Sequence, residues 1–185
     1  MNPIDPGPLA PVQVEPAAGR WTLVMRRDLR HPPAKVWAAL TEPGQLERWA
    51  PFLADRDLDR PGAVTLTMVD GDERHPMPAT VQRAEPPHLL VHTWGEDLLR
   101  WELTPAETGT RLVLRHTLAD RHWAPKVAAG WHLCLVVAER LLDGAPVPPI
   151  RGSEAKLHGW RELNEAYGKE LGIPTDDDTG EADSQ

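Results

Sequence analysis

Apolar and polar residues alternate with period two through much of the first two thirds of the chain, and that alternation predicts strands. Leu23, Met25 and Leu29 stand among polar neighbours over residues 21–30. His31-Pro32-Pro33 ends this strand, because proline removes a pairing N–H and disfavours a helical residue before it. Pro33 suits the first turn of a helix over residues 34–40, with Val36, Trp37 and Leu40 on one face. A second short helix over residues 45–50 presents Leu46 and Trp49. Further strands are predicted at 53–58, 63–69, 79–84, 89–94, 98–103 and 111–118, with a long loop at 73–78. Short turns such as Gly95-Glu96-Asp97 between them indicate an antiparallel meander.

The period then changes. Residues 126–142 contain no proline and place Val127, Trp131, Cys134, Leu135, Ala138, Leu141 and Leu142 at helical spacing. Leu133, Val136 and Val137 add apolar side chains on the opposite side, so something must cover this helix nearly all round. It is roughly 25 Å long, and only the strand-rich region is large enough to wrap it. A last helix over residues 153–171 carries Leu157, Trp160, Leu163, Tyr167 and Leu171. The predicted fold is α+β: a curved antiparallel sheet of six or seven strands around a long C-terminal helix, with two short helices after the first strand.

Length sharpens this to one domain over residues 20–174. Residues 1–19, with prolines at 3, 6, 8, 11 and 16, read as a disordered arm, and residues 175–185 as a disordered acidic tail. Of the net charge of -8, most lies in that tail (Asp176, Asp177, Asp178, Glu181, Asp183) and in Asp5 and Glu15, leaving the domain near neutral. No basic field attracts nucleic acid or anionic lipid. The single cysteine, Cys134, precludes an internal disulfide, and no signal peptide or membrane-spanning run is visible. The expectation is a soluble cytoplasmic protein, monomer or homodimer, without membrane insertion.

The segment Arg30-His31-Pro32-Pro33-Ala34-Lys35-Val36-Trp37-Ala38-Ala39-Leu40-Thr41, followed by Pro43-Gly44-Gln45-Leu46 and Trp49, resembles the signature of the START-like SRPBCC superfamily. The subgroup it resembles is that of the heat-shock-protein ATPase activator homologue domain. Gly109-Thr110-Arg111-Leu112 is similar to the family's Gly-Thr turn, and Gly130-Trp131-His132, Leu135 and Leu142-Asp143-Gly144 to its C-terminal helix. The resemblance spans residues 21–171 and implies the helix-grip fold. These are turn and core residues, so they specify fold more than function.

A sheet curved around one helix leaves space between them, and that space is the candidate site. Alternation places Leu99, Trp101 and Leu103 on one face of their strand, and Leu112, Leu114, His116 and Leu118 on one face of the last. The face carrying His92 and Trp94 depends on register. Candidate ligand-binding residues are Trp49, Phe52, Leu66, Met68, Trp94, Trp101, Leu112, Leu114, His116, Trp131 and His132. Trp37 and Trp131 read primarily as core. His116 and His132 are the candidate acid–base groups, because histidine titrates in the useful range. No HExxH, CxxC or Gly-rich phosphate loop is present, so neither metal nor cofactor is implied. The leading expectation is a binding protein for a small hydrophobic or aromatic molecule. A polyketide cyclase/dehydratase-like enzyme using the cavity histidines is one alternative. A chaperone-regulating interaction module, as the resemblance implies, is the other.

Overall fold

In the computed structural model, which describes residues 4–175, the chain forms eight strands and four α-helices. The strands are β1 (Val12–Ala17), β2 (Arg20–Leu29), β3 (Phe52–Ala54), β4 (Gly62–Asp70), β5 (Glu73–Glu85), β6 (Leu89–Trp94), β7 (Asp97–Ala106) and β8 (Gly109–Leu118). The helices are α1 (Pro33–Thr41), α2 (Pro43–Leu46), α3 (Ala124–Leu142) and α4 (Trp160–Leu171). All strands join one antiparallel sheet in the order β1-β2-β8-β7-β6-β5-β4-β3. This is the helix-grip arrangement. Alternation sets its concave face: Leu90, Leu99, Trp101, Leu103, Leu112, Leu114 and Leu118 are all buried in one core that includes Trp131 and Leu135 of α3.

The eighth strand is the main departure from the sequence reading. Val12–Ala17 pairs with β2, placing Val12 opposite Met25 and Val14 opposite Leu23. Ahead of it, Ala10 is buried, and its N–H donates to the Tyr167 hydroxyl at 3.0 Å. The hydroxyl lies 2.6 Å from His132 Nδ1, and His132 Nε2 lies 2.8 Å from the Pro6 carbonyl. Because a carbonyl only accepts, His132 carries its proton on Nε2, and the Tyr167 O–H donates to Nδ1. Proline density alone suggested an unstructured arm; two valines at strand spacing and a tyrosine more than 150 residues away fasten it. The remaining part of the acidic tail, residues 176–185, lies outside the described residues.

Four smaller differences are local. Residues 73–78 continue a strand, since Asp70 pairs with Glu73 across a two-residue Gly71-Asp72 turn. β6 pairs β5 only from Val81 onward, so Pro76 and Pro78 sit where one edge needs no N–H. The strand expected at 53–58 stops at Ala54, and the Leu58 N–H instead donates to the Thr41 carbonyl at 2.9 Å. The last helix is split: Gly152–His158 is a 3-10 helix, and Gly159, at φ 82°, separates it from α4. The helix expected at 45–50 is the shorter α2.

The Tyr167 junction predicts a measurable cost. Replacing Tyr167 with phenylalanine leaves the Ala10 N–H and His132 Nδ1 without partners in a buried site, at about 2 kcal/mol. Urea denaturation should show that loss, and hydrogen exchange should show Val12–Ala17 opening faster than the rest of the sheet. Unchanged stability with unchanged protection of β1 would contradict the geometry.

Candidate functional site

The centre of the concave face is filled by aromatic rings. Trp101 meets Trp49 edge-on at 6.1 Å and Trp131 at 5.2 Å, and Phe52 meets His92 at 5.8 Å and Trp94 at 5.6 Å. Trp49, Phe52, Leu66, Trp101, Leu112 and Leu114 are fully packed. Six residues read from the sequence as candidate ligand contacts therefore form the floor of the site and are closed to a ligand at rest. Period-two alternation shows which side chains point inward. It cannot show whether large indoles fill the space they point into, because that is a question of summed volume.

Beside these rings a pocket of about 200 Å³ opens against the first half of α3. Trp94 from β6, His116 from β8, and Val127, Gly130 and Trp131 from α3 line it, and Arg151 and Trp160 help close it. His92 pairs with Leu99 in register and Trp94 with Asp97, which puts both on the concave side. Met68 stands beside this group, its sulfur accepting from Trp94 Nε1 at 3.2 Å. The segment after α3 is tied down on both flanks. Arg151 donates from Nε to the Ala50 carbonyl at 2.8 Å and from Nη2 to the Glu47 carbonyl at 2.6 Å. Ser153 donates from its N–H to Asp70 Oδ1 at 3.1 Å. Sequence reasoning missed Arg151, which follows a proline-rich run that carries no periodicity.

The two candidate acid–base histidines do not converge. His116 accepts from Trp131 Nε1 at Nδ1, 2.9 Å away, so its proton sits on Nε2, which donates to Asp97 Oδ2 at 3.0 Å. Arg20 pairs with the same aspartate. Both His116 nitrogens are thus engaged. His132 belongs to the junction with Tyr167 and Pro6 described above, away from the pocket lining. The two histidines thus sit in separate hydrogen-bond networks, since Trp131, which donates to His116, and His132 are neighbours on α3 and point to different sides of the helix.

Burial also sets the chemistry of the neighbours. Desolvation pushes the Cys134 thiol up to about 12, so no thiolate nucleophile is available there. His92 is brought down to about 4, chiefly by burial, with its bond to the Thr93 carbonyl opposing. Its Nε2 accepts from Trp101 Nε1 at 3.3 Å. A base whose folded pKa is depressed favours folding above its unfolded value near 6.5 and loses that contribution as pH falls toward 4. The interval corresponds to about 3 kcal/mol. Burial likewise lowers the pKa of His132, which adds loss of the same sign. Stability measured by urea at pH 7 and pH 4 should therefore fall, and His92→Gln should flatten the profile. Parallel profiles for the two proteins would contradict this assignment.

Among the described residues no cluster of side chains has metal-binding composition, and no helix is long and apolar enough to cross a membrane.

Residues 30–142, more than half of the chain, match the family model described as "Activator of Hsp90 ATPase homolog 1-like protein". The chain belongs to this family. The match covers the signature segment from Arg30 and ends with α3. No curated protein matches. A crystal structure of a Mesorhizobium loti protein is similar at 26% identity and TM-score 0.58, covering 68% of this chain and 99% of that one. One of a Rhodobacter sphaeroides protein is similar at 27% identity and TM-score 0.56, covering 72% and 96%. CalU16 from Micromonospora echinospora, at 19% identity and TM-score 0.62, covers 86% of this chain and 95% of that one and shares the fold. This activator-homologue-like domain thus has the helix-grip fold of the SRPBCC superfamily, with β1, β2, the 3-10 segment Gly152–His158 and α4 lying outside the matched residues.

Proposed function

We propose that this protein binds a small, flat hydrophobic or aromatic molecule in the pocket between β6, β8 and the first half of α3. The observation that carries this reading is Gly130. It lies in the interior of a 19-residue helix, where glycine costs about 1 kcal/mol relative to alanine. A Cβ built there meets nothing within 4 Å. The helix bears a destabilising residue at a position that lines the pocket and has unfilled space in front of it. The adjoining walls are the Trp94 and Trp131 rings, 5.6 Å apart and inclined at 63°. Aromatic faces of this kind hold a flat apolar guest by contact area. About 200 Å³ is below the usual range for drug-sized ligands, so the guest is a single ring system or a short chain.

Acid–base catalysis is the weaker reading, because His116 has no free nitrogen for a substrate proton.

The test is a tryptophan-fluorescence titration against single-ring aromatic and short-chain compounds, in the wild type and two Gly130 variants. Gly130→Ala should raise stability by about 0.5–1 kcal/mol. Gly130→Leu should keep the fold and abolish the saturable signal by filling the space. If Gly130→Leu leaves binding intact, or if no compound gives saturation, the pocket is not a binding site.

A further inference from the structure

We propose that the pocket's ligand carries a carboxylate, received by Arg151; this rests on the binding reading above and adds the ligand's chemical class. Among the pocket's lining residues Arg151 is the only arginine, lysine, aspartate or glutamate. Its guanidinium is oriented in advance: Nε and Nη2 are spent on the Ala50 and Glu47 carbonyls. Nη1 has no partner among the described residues, and no carboxylate forms an ion pair with Arg151.

The charged groups around it do not supply that partner. The Glu47 and Glu154 carboxylates act on Arg151 only through space, with Arg74 opposing them. Asp70, the acid that holds the same segment, has its Oδ1 engaged by Ser153 N–H and Oγ. A half-buried cation without a counterion pays for its lost hydration, and burial lowers the Arg151 pKa accordingly. A fixed guanidinium with free N–H groups at the rim of an aromatic pocket matches an amphipathic monoanion. The ring or chain lies against Trp94 and Trp131, and the carboxylate accepts charge-assisted hydrogen bonds from Nη1.

Matched pairs test this by calorimetry on the full chain: benzoate with benzamide, phenylacetate with phenylacetamide, hexanoate with hexanamide. Each acid should bind at least tenfold more tightly than its amide, and raising NaCl from 50 to 500 mM should weaken the acids alone. Arg151→Gln should erase the preference while amide binding persists. Should that variant fail to fold, the paired affinities and salt dependence of the wild type decide the matter. Equal affinity for acid and amide, with both abolished by Gly130→Leu, would overturn this inference and leave the pocket reading standing. A preference that survives Arg151→Gln would also overturn it. Silence from every compound would remove both.

Discussion

Replacing Gly109 with alanine should cost more than about 3 kcal/mol, the largest effect expected of a one-carbon addition at any glycine among the described residues. Gly109 starts β8 at φ +150°, a conformation that side chains disfavour. An added Cβ would stand 2.1 Å from the Leu29 carbonyl oxygen and 2.6 Å from the His31 nitrogen. Those are backbone atoms at the exit of β2, so no rotamer change relieves the contact. Thr110 reinforces the same crossing by donating from Oγ1 to the His31 carbonyl at 2.6 Å. Lys35 then donates to the Leu142 carbonyl at 2.6 Å, tying α1 to the end of α3. Urea denaturation of Gly109→Ala against Thr110→Val would separate the two contributions. A Gly109→Ala variant as stable as the wild type would mean that the β2–α1 turn can shift freely, contrary to this geometry.

The second large effect belongs to Trp101, whose truncation to alanine should destabilise by about 3–5 kcal/mol. The indole is 2% exposed and makes edge contacts with two other tryptophans. Its removal leaves both a void and a His92 Nε2 without its donor. Trp101→Phe, which keeps most of the volume but not the N–H, should lie well between alanine and wild type. Equal losses for the two variants would assign the whole effect to the hydrogen bond, and negligible losses would show that the rings are not close-packed.

These two positions also show what the sequence discloses. Gly109 and Trp101 were both legible, one as part of a family turn and one by alternation against Arg100 and Glu102, because turn geometry and strand period are local properties. The long helix and the concave face were legible for the same reason. Of the inward residues named from the sequence, Trp94, His116 and Trp131 line the pocket, whereas Trp49, Phe52, Leu66, Trp101, Leu112 and Leu114 are packed in the core. Arg151 and the fastening of Ala10 by Tyr167 were hidden. Each depends on where a segment without periodicity comes to rest, which is decided by distant partners.

The clasp at Tyr167 has a consequence for the order in which the molecule matures. Ile4, Pro6 and Ala10 bond to His158, His132 and Tyr167, residues that are synthesised 154, 126 and 157 positions after them. Contacts of such long sequence separation form late, because the intervening loop must close before they return anything. These residues must therefore wait, solvated and unpaired, until those distant partners are made, and the prolines spaced among them, which resist premature helix or sheet, suit that interval.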